Sequence, residues 1–217
     1  MIVHRFDHTH SLLNTFISEI RDMEIQKDAM RFRRNIERIG EVLAYELSKT
    51  LSYKDVVVQT SLGTKRTSLP SDKLVLCSVL RAGLPLHHGL LSYFDGAENA
   101  FISAYRHHPD GGDDFDVIVK YFAAPSLNGK ILVLTDPMLA TGKTLENVLK
   151  ALKNHGTPKK IHIVSVIGSE AGLKHVQEVF PVDTQLWIAA VDEELTSKGY
   201  IIPGLGDAGD LSYGEKL

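Results

Sequence analysis

A chain of 217 residues, 43% of them hydrophobic, can fill a single core without help from disulfides or metals. Its formal net charge of −3 and its lack of any lysine or arginine block exclude non-specific nucleic-acid binding as the main task, because that needs a basic footprint. No signal peptide opens the sequence and no apolar run is long enough to span a membrane, so a cytoplasmic protein is expected. The single cysteine, Cys77, lies inside an apolar run and reads as core rather than nucleophile.

The first ten residues carry His4, His8 and His10, but no cysteine or acidic pair completes a metal-ligand spacing, and the segment reads as an N-terminal arm. From Ser11 onward Leu12, Leu13, Phe16, Ile17 and Ile20 fall at helical spacing. A second amphipathic helix follows through Phe32, Ile36, Ile39, Leu43 and Leu47. Arg31, Arg33, Arg34 and Arg38 are expected on its solvated side. Val56–Gln59 and Arg66–Ser68, separated by a turn at Gly63, predict a small hairpin outside the main sheet that packs over one edge.

Leu74–Val79 is a buried strand leading into Leu80-Arg81-Ala82-Gly83, ahead of a helix with Leu86, Leu90 and Leu91. An arginine followed by small residues at a strand end can bring a cation and close backbone N–H groups to an anion, although an isolated arginine there is as readily a surface residue. Ala100–Tyr105 alternates as a strand, and Val117–Val119 returns from a polar turn starting at Arg106. Asp110, Asp113, Asp114 and Asp116 in that turn lack the calcium-loop pattern, so a mobile solvated hairpin is expected.

Ile131–Leu134 is a short unbroken apolar run ending at Asp136, after which Ala140-Thr141-Gly142-Lys143-Thr144 opens a helix. Small residues at a helix start can turn their N–H groups toward an anion, and the two threonine hydroxyls and Lys143 add donors. An ordinary strand-loop-helix crossover has the same outline. The ending Thr-Gly-Lys-Thr suggests a P-loop, but Pro137 holds the place where that loop needs its first glycine. The helix 145–152, strand 161–167, helix 171–179 and strand 185–191 complete the pattern. Strands near 74, 100, 131, 161 and 185 predict an α/β fold, with a parallel five-stranded sheet covered by helices on both faces. A single domain spanning 1–217 is expected, with the N-terminal helices, the hairpin and the tail forming a small hood-like subdomain. The tail, Tyr200-Ile-Ile-Pro-Gly-Leu-Gly-Asp-Ala-Gly-Asp-Leu-Ser-Tyr-Gly214, has glycines and a proline that argue against a regular element, while Ile201, Ile202 and Leu205 favour an ordered, backbone-lined pocket.

Three of these segments resemble one family in the right order. Asp-Pro-Met-Leu-Ala-Thr-Gly at 136–142, Leu-Arg-Ala-Gly at 80–83 and Pro-Gly-Leu-Gly-Asp-Ala-Gly-Asp at 203–210 are similar to the motifs of uracil phosphoribosyltransferases, a branch of the type I phosphoribosyltransferases. The Phe32-Arg33 pair and Leu43–Glu46 also resemble that family's N-terminal helices. Where many type I relatives carry two adjacent acids, this chain has Asp136 followed by Pro137, as the uracil enzymes do.

The resemblance implies transfer of the 5-phosphoribosyl group from phosphoribosyl diphosphate to N1 of uracil, giving UMP and diphosphate in pyrimidine salvage. It assigns catalytic roles to Arg81, Arg106, Asp136 and Asp207. Phosphoribosyl diphosphate would be held by these residues together with Pro137, Met138, Leu139, Ala140, Thr141, Gly142, Lys143 and Thr144. Uracil would lie against Ile201, Gly206, Asp207 and Ala208. Mg2+ would be bound mainly through substrate and water, with no direct protein ligand. No nucleic-acid or membrane partner is expected, and a homo-oligomer is. The insertions after Arg106 depart from the family's usual acidic lid, and Leu211 departs from a basic residue, which bears on a rim or subunit contact. An RNA-binding regulator would need more basic charge, a uridine kinase would need a true P-loop, and a purine pocket has no need of this tail.

Overall fold

The computed structural model describes residues 1–107 and 116–216, with the side chains of 104–107 and 116–120 outside that description. Its elements in order are β1 (Ile2–Arg5), α1 (Leu12–Arg21), α2 (Ala29–Ser48), β2 (Tyr53–Thr60), β3 (Gly63–Pro70), β4 (Leu74–Leu80), α3 (Gly83–Leu91), β5 (Glu98–His107) and β6 (Asp116–Ala123). They continue with β7 (Ile131–Thr135), β8 (Met138–Leu139), α4 (Lys143–Leu152), β9 (Lys160–Ser169), α5 (Glu170–Val179), β10 (Gln185–Asp192), β11 (Glu194–Leu195), β12 (Ile201–Ile202) and α6 (Ala208–Tyr213).

The main sheet runs β1-β10-β9-β7-β4-β5-β6, and the five strands expected from the sequence, β4, β5, β7, β9 and β10, are mutually parallel. Strands buried on both faces read as unbroken apolar runs, and β4 shows why. Leu74 and Leu76 pack into the cluster beneath α1, α2 and α3, whereas Val75, Cys77 and Val79 pack into the opposite cluster beneath α4 and α5. Cys77 is fully buried, and burial pushes its thiol up to about 12, so it is inert at neutral pH. Both N-terminal helices start on side-chain caps: Ser11 accepts from the Leu13 N–H, and Asp28 accepts from the N–H groups of Met30 and Arg31.

The structure departs from expectation in three places. Residues 2–5 are not a free arm but a strand parallel to β10, with Ile2 beside Gln185 and Arg5 beside Ile188. Val3 packs into one cluster while the His4 ring stacks on Trp187 at 3.8 Å, and this alternation seals a sheet edge that β10 would otherwise expose. The expected hairpin forms as β2–β3, with Val56 opposite Thr67, but does not pack over an edge. Apart from that pair its residues are exposed, because Val57 and Val58 are interleaved with Lys54, Asp55, Lys65 and Arg66 and give it no continuous apolar face. It is tied at its base, where the Ser71 N–H donates to the Ser52 carbonyl and the Ser52 N–H donates to Asp72. Third, the arginines of α2 are not all solvated. Arg31 and Arg34 pair with Glu19 and Glu37 at the surface, but Arg33 is half-buried and donates to the Ser212 carbonyl at 2.6 Å.

Beside Trp187, His162 is buried and its Nδ1 accepts the indole N–H at 3.0 Å. Burial, aided by the Lys160 and His4 charges, pushes its pKa down to about 3. A folded-state value below the unfolded one means that the unfolded chain takes up the proton first. Stability is then full above about pH 6.5 and is lost as the pH falls toward the folded value. Urea midpoints measured between pH 7.5 and pH 4.5 should fall in the wild type and fall less in His162→Asn, which keeps an acceptor for Trp187. An unchanged pH slope in the variant would show that His162 is not the titrating group.

Candidate active site

The order of strands fixes where a ligand can sit. From β4 the chain crosses through α3 to β5 on one side, whereas from β7 it crosses through α4 to β9 and then through α5 to β10 on the other. Loops leaving neighbouring strands in opposite directions open a crevice at the carboxyl ends of those strands. Here the two loops are the Arg81-Ala82-Gly83 turn and the segment from Asp136 to Thr144. They touch: a Cβ on Gly83 would lie 2.8 Å from Ser78 Oγ and 3.1 Å from the Thr135 carbonyl oxygen, so only glycine lets α3 begin this close to β7.

The 136–144 segment is more ordered than a plain loop. Met138 and Leu139 form β8, a short strand beside Ile167 and Gly168 of β9, and the Met138 N–H donates to Asp136 Oδ1 at 3.2 Å. Gly142 is left-handed, φ 78°, and immediately precedes α4. It has no capping side chain, and the Lys143 N–H bond to Thr141 Oγ1 is long, 3.4 Å; the start of a helix can turn its first N–H groups to an anion. Asp136, Thr141, Gly142 and Thr144 line one small pocket together with residues 138–140 and Leu145. Lys143 points to the exposed side of the helix start.

This loop rests on α5, a support the sequence did not reveal. Ser169 Oγ donates to the Ala140 carbonyl at 2.6 Å while accepting the Gly172 N–H at 2.9 Å. A Cβ on Gly172 would overlap the Ala140 carbonyl oxygen and lie 2.6 Å from that of Leu139. His175 backs Gly142 and shares a hydrogen bond with Glu146 of α4 at 2.9 Å.

The tail contains two regular elements despite its glycines. Ile201 and Ile202 pair with Leu195 and Glu194, and 208–213 is a helix capped by Asp207, whose Oδ1 accepts from the Gly209 and Asp210 N–H groups. Asp207 thus supplies the cap that glycine-rich composition obscures. Ile201, Leu205 and Ala208 are buried, whereas Ile202 is exposed. Arg21 locks the tail's turn, with bonds of 2.8 Å to both carboxylate oxygens of Asp192 and to the Gly204 carbonyl. Leu211 packs against the core rather than facing the rim, and the cation there is Lys216, 3.1 Å from Asp207.

Arg81 joins the strand-end loop to the tail. Its Nη2 donates to Asp210 Oδ1 at 2.5 Å and its Nη1 to the Gly214 carbonyl at 3.0 Å. Burial works against the charged form of Asp207, but the amides of Asp210 and Gly209 and the Lys216 ammonium together outweigh it and hold its carboxyl below the ordinary value. Of the residues singled out in the sequence, Arg81, Asp136, the 137–144 loop, Ile201, Gly206, Asp207 and Ala208 all fall in the strand-end loops or the tail. The Arg106 side chain and the turn through Asp114 lie outside the described residues. Asp210, which grips Arg81, was not singled out, because nothing local marks a partner 129 residues away.

Placing a methyl group beneath the 136–144 loop should displace it. Gly172→Ala is expected to cost about 1–3 kcal/mol of stability by overpacking and to shift the backbone amide signals of residues 139–144. Wild-type stability with unshifted amides would mean that α5 does not hold the loop in place.

Comparison with known proteins agrees with this geometry. The family model described as uracil phosphoribosyltransferase matches residues 8–214. A uracil phosphoribosyltransferase from Porphyromonas gingivalis is 53% identical over 208 residues, covering 96% of both chains. One from Methanothermobacter thermautotrophicus is 41% identical over 189 residues, covering 86% of this chain and 85% of its own. The structure of the AQ2163 protein from Aquifex aeolicus superposes with a TM-score of 0.87 at 33% identity, covering 98% of each chain. With Arg81 at the end of β4 tied to the capped tail, a family match over nearly the whole chain identifies it as a member of the uracil phosphoribosyltransferase family.

Proposed function

We propose that the family's reaction, transfer of the 5-phosphoribosyl group from phosphoribosyl diphosphate to N1 of uracil to give UMP and diphosphate, runs in the crevice beyond β4 and β7 with the residues described above. The observation that carries this assignment is the Arg81 side chain, which leaves the end of β4 and is held by the tail. Through it the diphosphate loop and the base-binding segment become parts of one site.

Each part answers a physical need. As the bond from C1 to diphosphate breaks, positive charge develops on the sugar and negative charge leaves with the diphosphate, so a fixed cation beside the leaving group lowers the barrier. Arg81 supplies that cation, and by resemblance Arg106 adds a second. The first-turn N–H groups of α4, with Thr141 and Thr144, receive the 5-phosphate, and Asp136 orients the ribose hydroxyls.

Among the described residues no three His, Cys, Asp or Glu side chains are grouped to hold a metal ion. The single carboxylates of Asp136 and Asp207 suit Mg2+ carried in by the substrate and completed by water, since that ion keeps much of its hydration. Bound so, it would offset diphosphate charge as the bond breaks.

Uracil offers acceptor, donor and acceptor along its O2, N3 and O4 edge. Backbone N–H and C=O groups of Ile201, Gly206 and Ala208 can match that order without a charged side chain. Cytosine reverses the pattern at N3 and at its exocyclic group and would leave buried polar groups unpaired.

The direct experiment is UMP formation from uracil and phosphoribosyl diphosphate with Mg2+, with cytosine, hypoxanthine and adenine as competitors. Uracil alone should be consumed; turnover of a purine in its place would overturn the base assignment. Ala208 is 2% exposed, so Ala208→Val must move the tail backbone. Uracil affinity should drop by about 1–3 kcal/mol, the cost of one disturbed buried hydrogen bond, while phosphoribosyl diphosphate affinity changes little. Equal losses for both ligands would put the tail outside the base pocket.

A further inference from the structure

We propose that Asp210 is a positioning residue for the transfer reaction: by gripping Arg81 it aims the guanidinium at the departing diphosphate and makes the diphosphate site depend on the folded tail. This rests on the assignment of Arg81 to diphosphate.

The contact is built from both ends of α6. Asp210, in the helix's first turn, takes Nη2, and Gly214, just past its end, takes Nη1, so the guanidinium spans the helix. Asp210 is itself fixed: its N–H donates to Asp207 Oδ1 and its carbonyl accepts the Gly214 N–H. Gly209 permits the crossing, because a Cβ there would lie 3.3 Å from Arg81 Nη2 and 3.0 Å from Asp207 Oδ1.

Stability alone does not account for the pair. Its side chains are half-buried, 35% and 32% exposed, so solvent still screens the pair in part and limits what it contributes to folding. What the pair does is direction. A guanidinium carries five N–H donors in a rigid fork, and anchoring its Nη ends leaves the rest of the fork set at a fixed angle toward an anion. A donor held in place before charge develops needs no reorganisation during the reaction. Lys216 stands 3.1 Å from Asp207 and 3.8 Å from Asp210, so its single charge offsets one of the two acids and lessens their repulsion of the leaving group.

The test is titration of magnesium diphosphate into the intact chain and its variants, paired with steady-state kinetics. Asp210→Asn should weaken magnesium diphosphate about tenfold and lower kcat/KM for phosphoribosyl diphosphate by a similar factor, with a smaller change in the KM for uracil. Asp210→Glu, which keeps the charge on α6, should recover part of both losses. Arg81→Ala should weaken magnesium diphosphate more than Asp210→Asn does, and adding Asp210→Asn to it should cost nothing more.

If Arg81→Ala weakens diphosphate binding while Asp210→Asn binds it as well as or more tightly than the wild type, the proposal is overturned and Arg81 keeps its role. Tighter binding would make Asp210 a stand-in anion that diphosphate displaces. A rise in the KM for uracil alone would reduce Asp210 to a prop of the tail and also overturn it. If Asp210→Asn unfolds the tail, Asp210→Glu decides, since a folded variant with no recovery of diphosphate affinity contradicts the proposal. Wild-type diphosphate binding in Arg81→Ala would instead remove the underlying assignment.

Discussion

Everything at this site depends on how closely two parallel neighbours, β4 and β7, bring their carboxyl ends together before their chains part. Backbone pairing holds the two ends side by side, Ser78 beside Thr135, and Gly83, whose missing side chain lets α3 start against both residues, brings the helix up to them. The same rule of absent side chains repeats one layer out, where Gly172 lets α5 press against the carbonyls of Leu139 and Ala140. Phosphate groups are met by backbone N–H donors, and donors are accessible only where no Cβ intervenes and the backbone behind them cannot move. Small residues at these positions therefore do two jobs: they open the front of the loop and let a helix brace its back.

The tail joins this frame through charge rather than apolar packing alone. Arg21 forks onto Asp192, whose side chain is 9% exposed, and also takes the Gly204 carbonyl, while the Gly204 N–H returns to Asp192. Arg33 closes the other end at Ser212. Planar guanidinium groups suit this use, because one can fix two acceptors at once, as Arg21 and Arg81 do, and so hold a glycine-rich segment that has little side-chain surface of its own to bury. Arg81 completes the set from the carboxyl end of a central strand, so arginines from α1, α2 and the end of β4 each grip the tail.

Much of this was legible in the residues. Unbroken apolar runs such as Leu74–Val79 and Ile131–Leu134 announced strands buried on both faces, and the small residues after Asp136 announced the loop that opens α4. What escaped depends on distant partners. Ile2–Arg5 is too short and too polar to declare a strand until Trp187 supplies a surface for His4. Val56–Val58 looked able to cover a sheet edge, but its charged neighbours deny it an apolar face. The tail's glycines hid a helix because its cap, Asp207, reads as readily as a ligand-binding acid. Arg33 looked like one of several solvated arginines, and only the fold shows that its reach ends on Ser212.

The most direct test of the account is a crystal structure of the chain with UMP and magnesium diphosphate. The account predicts the UMP phosphate on the backbone N–H groups of 140–144, the uracil edge against Ile201, Gly206 and Ala208, and diphosphate at Arg81 with Asp210 still in contact. A nucleotide phosphate bound away from the start of α4, or a base bound away from the tail, would contradict it.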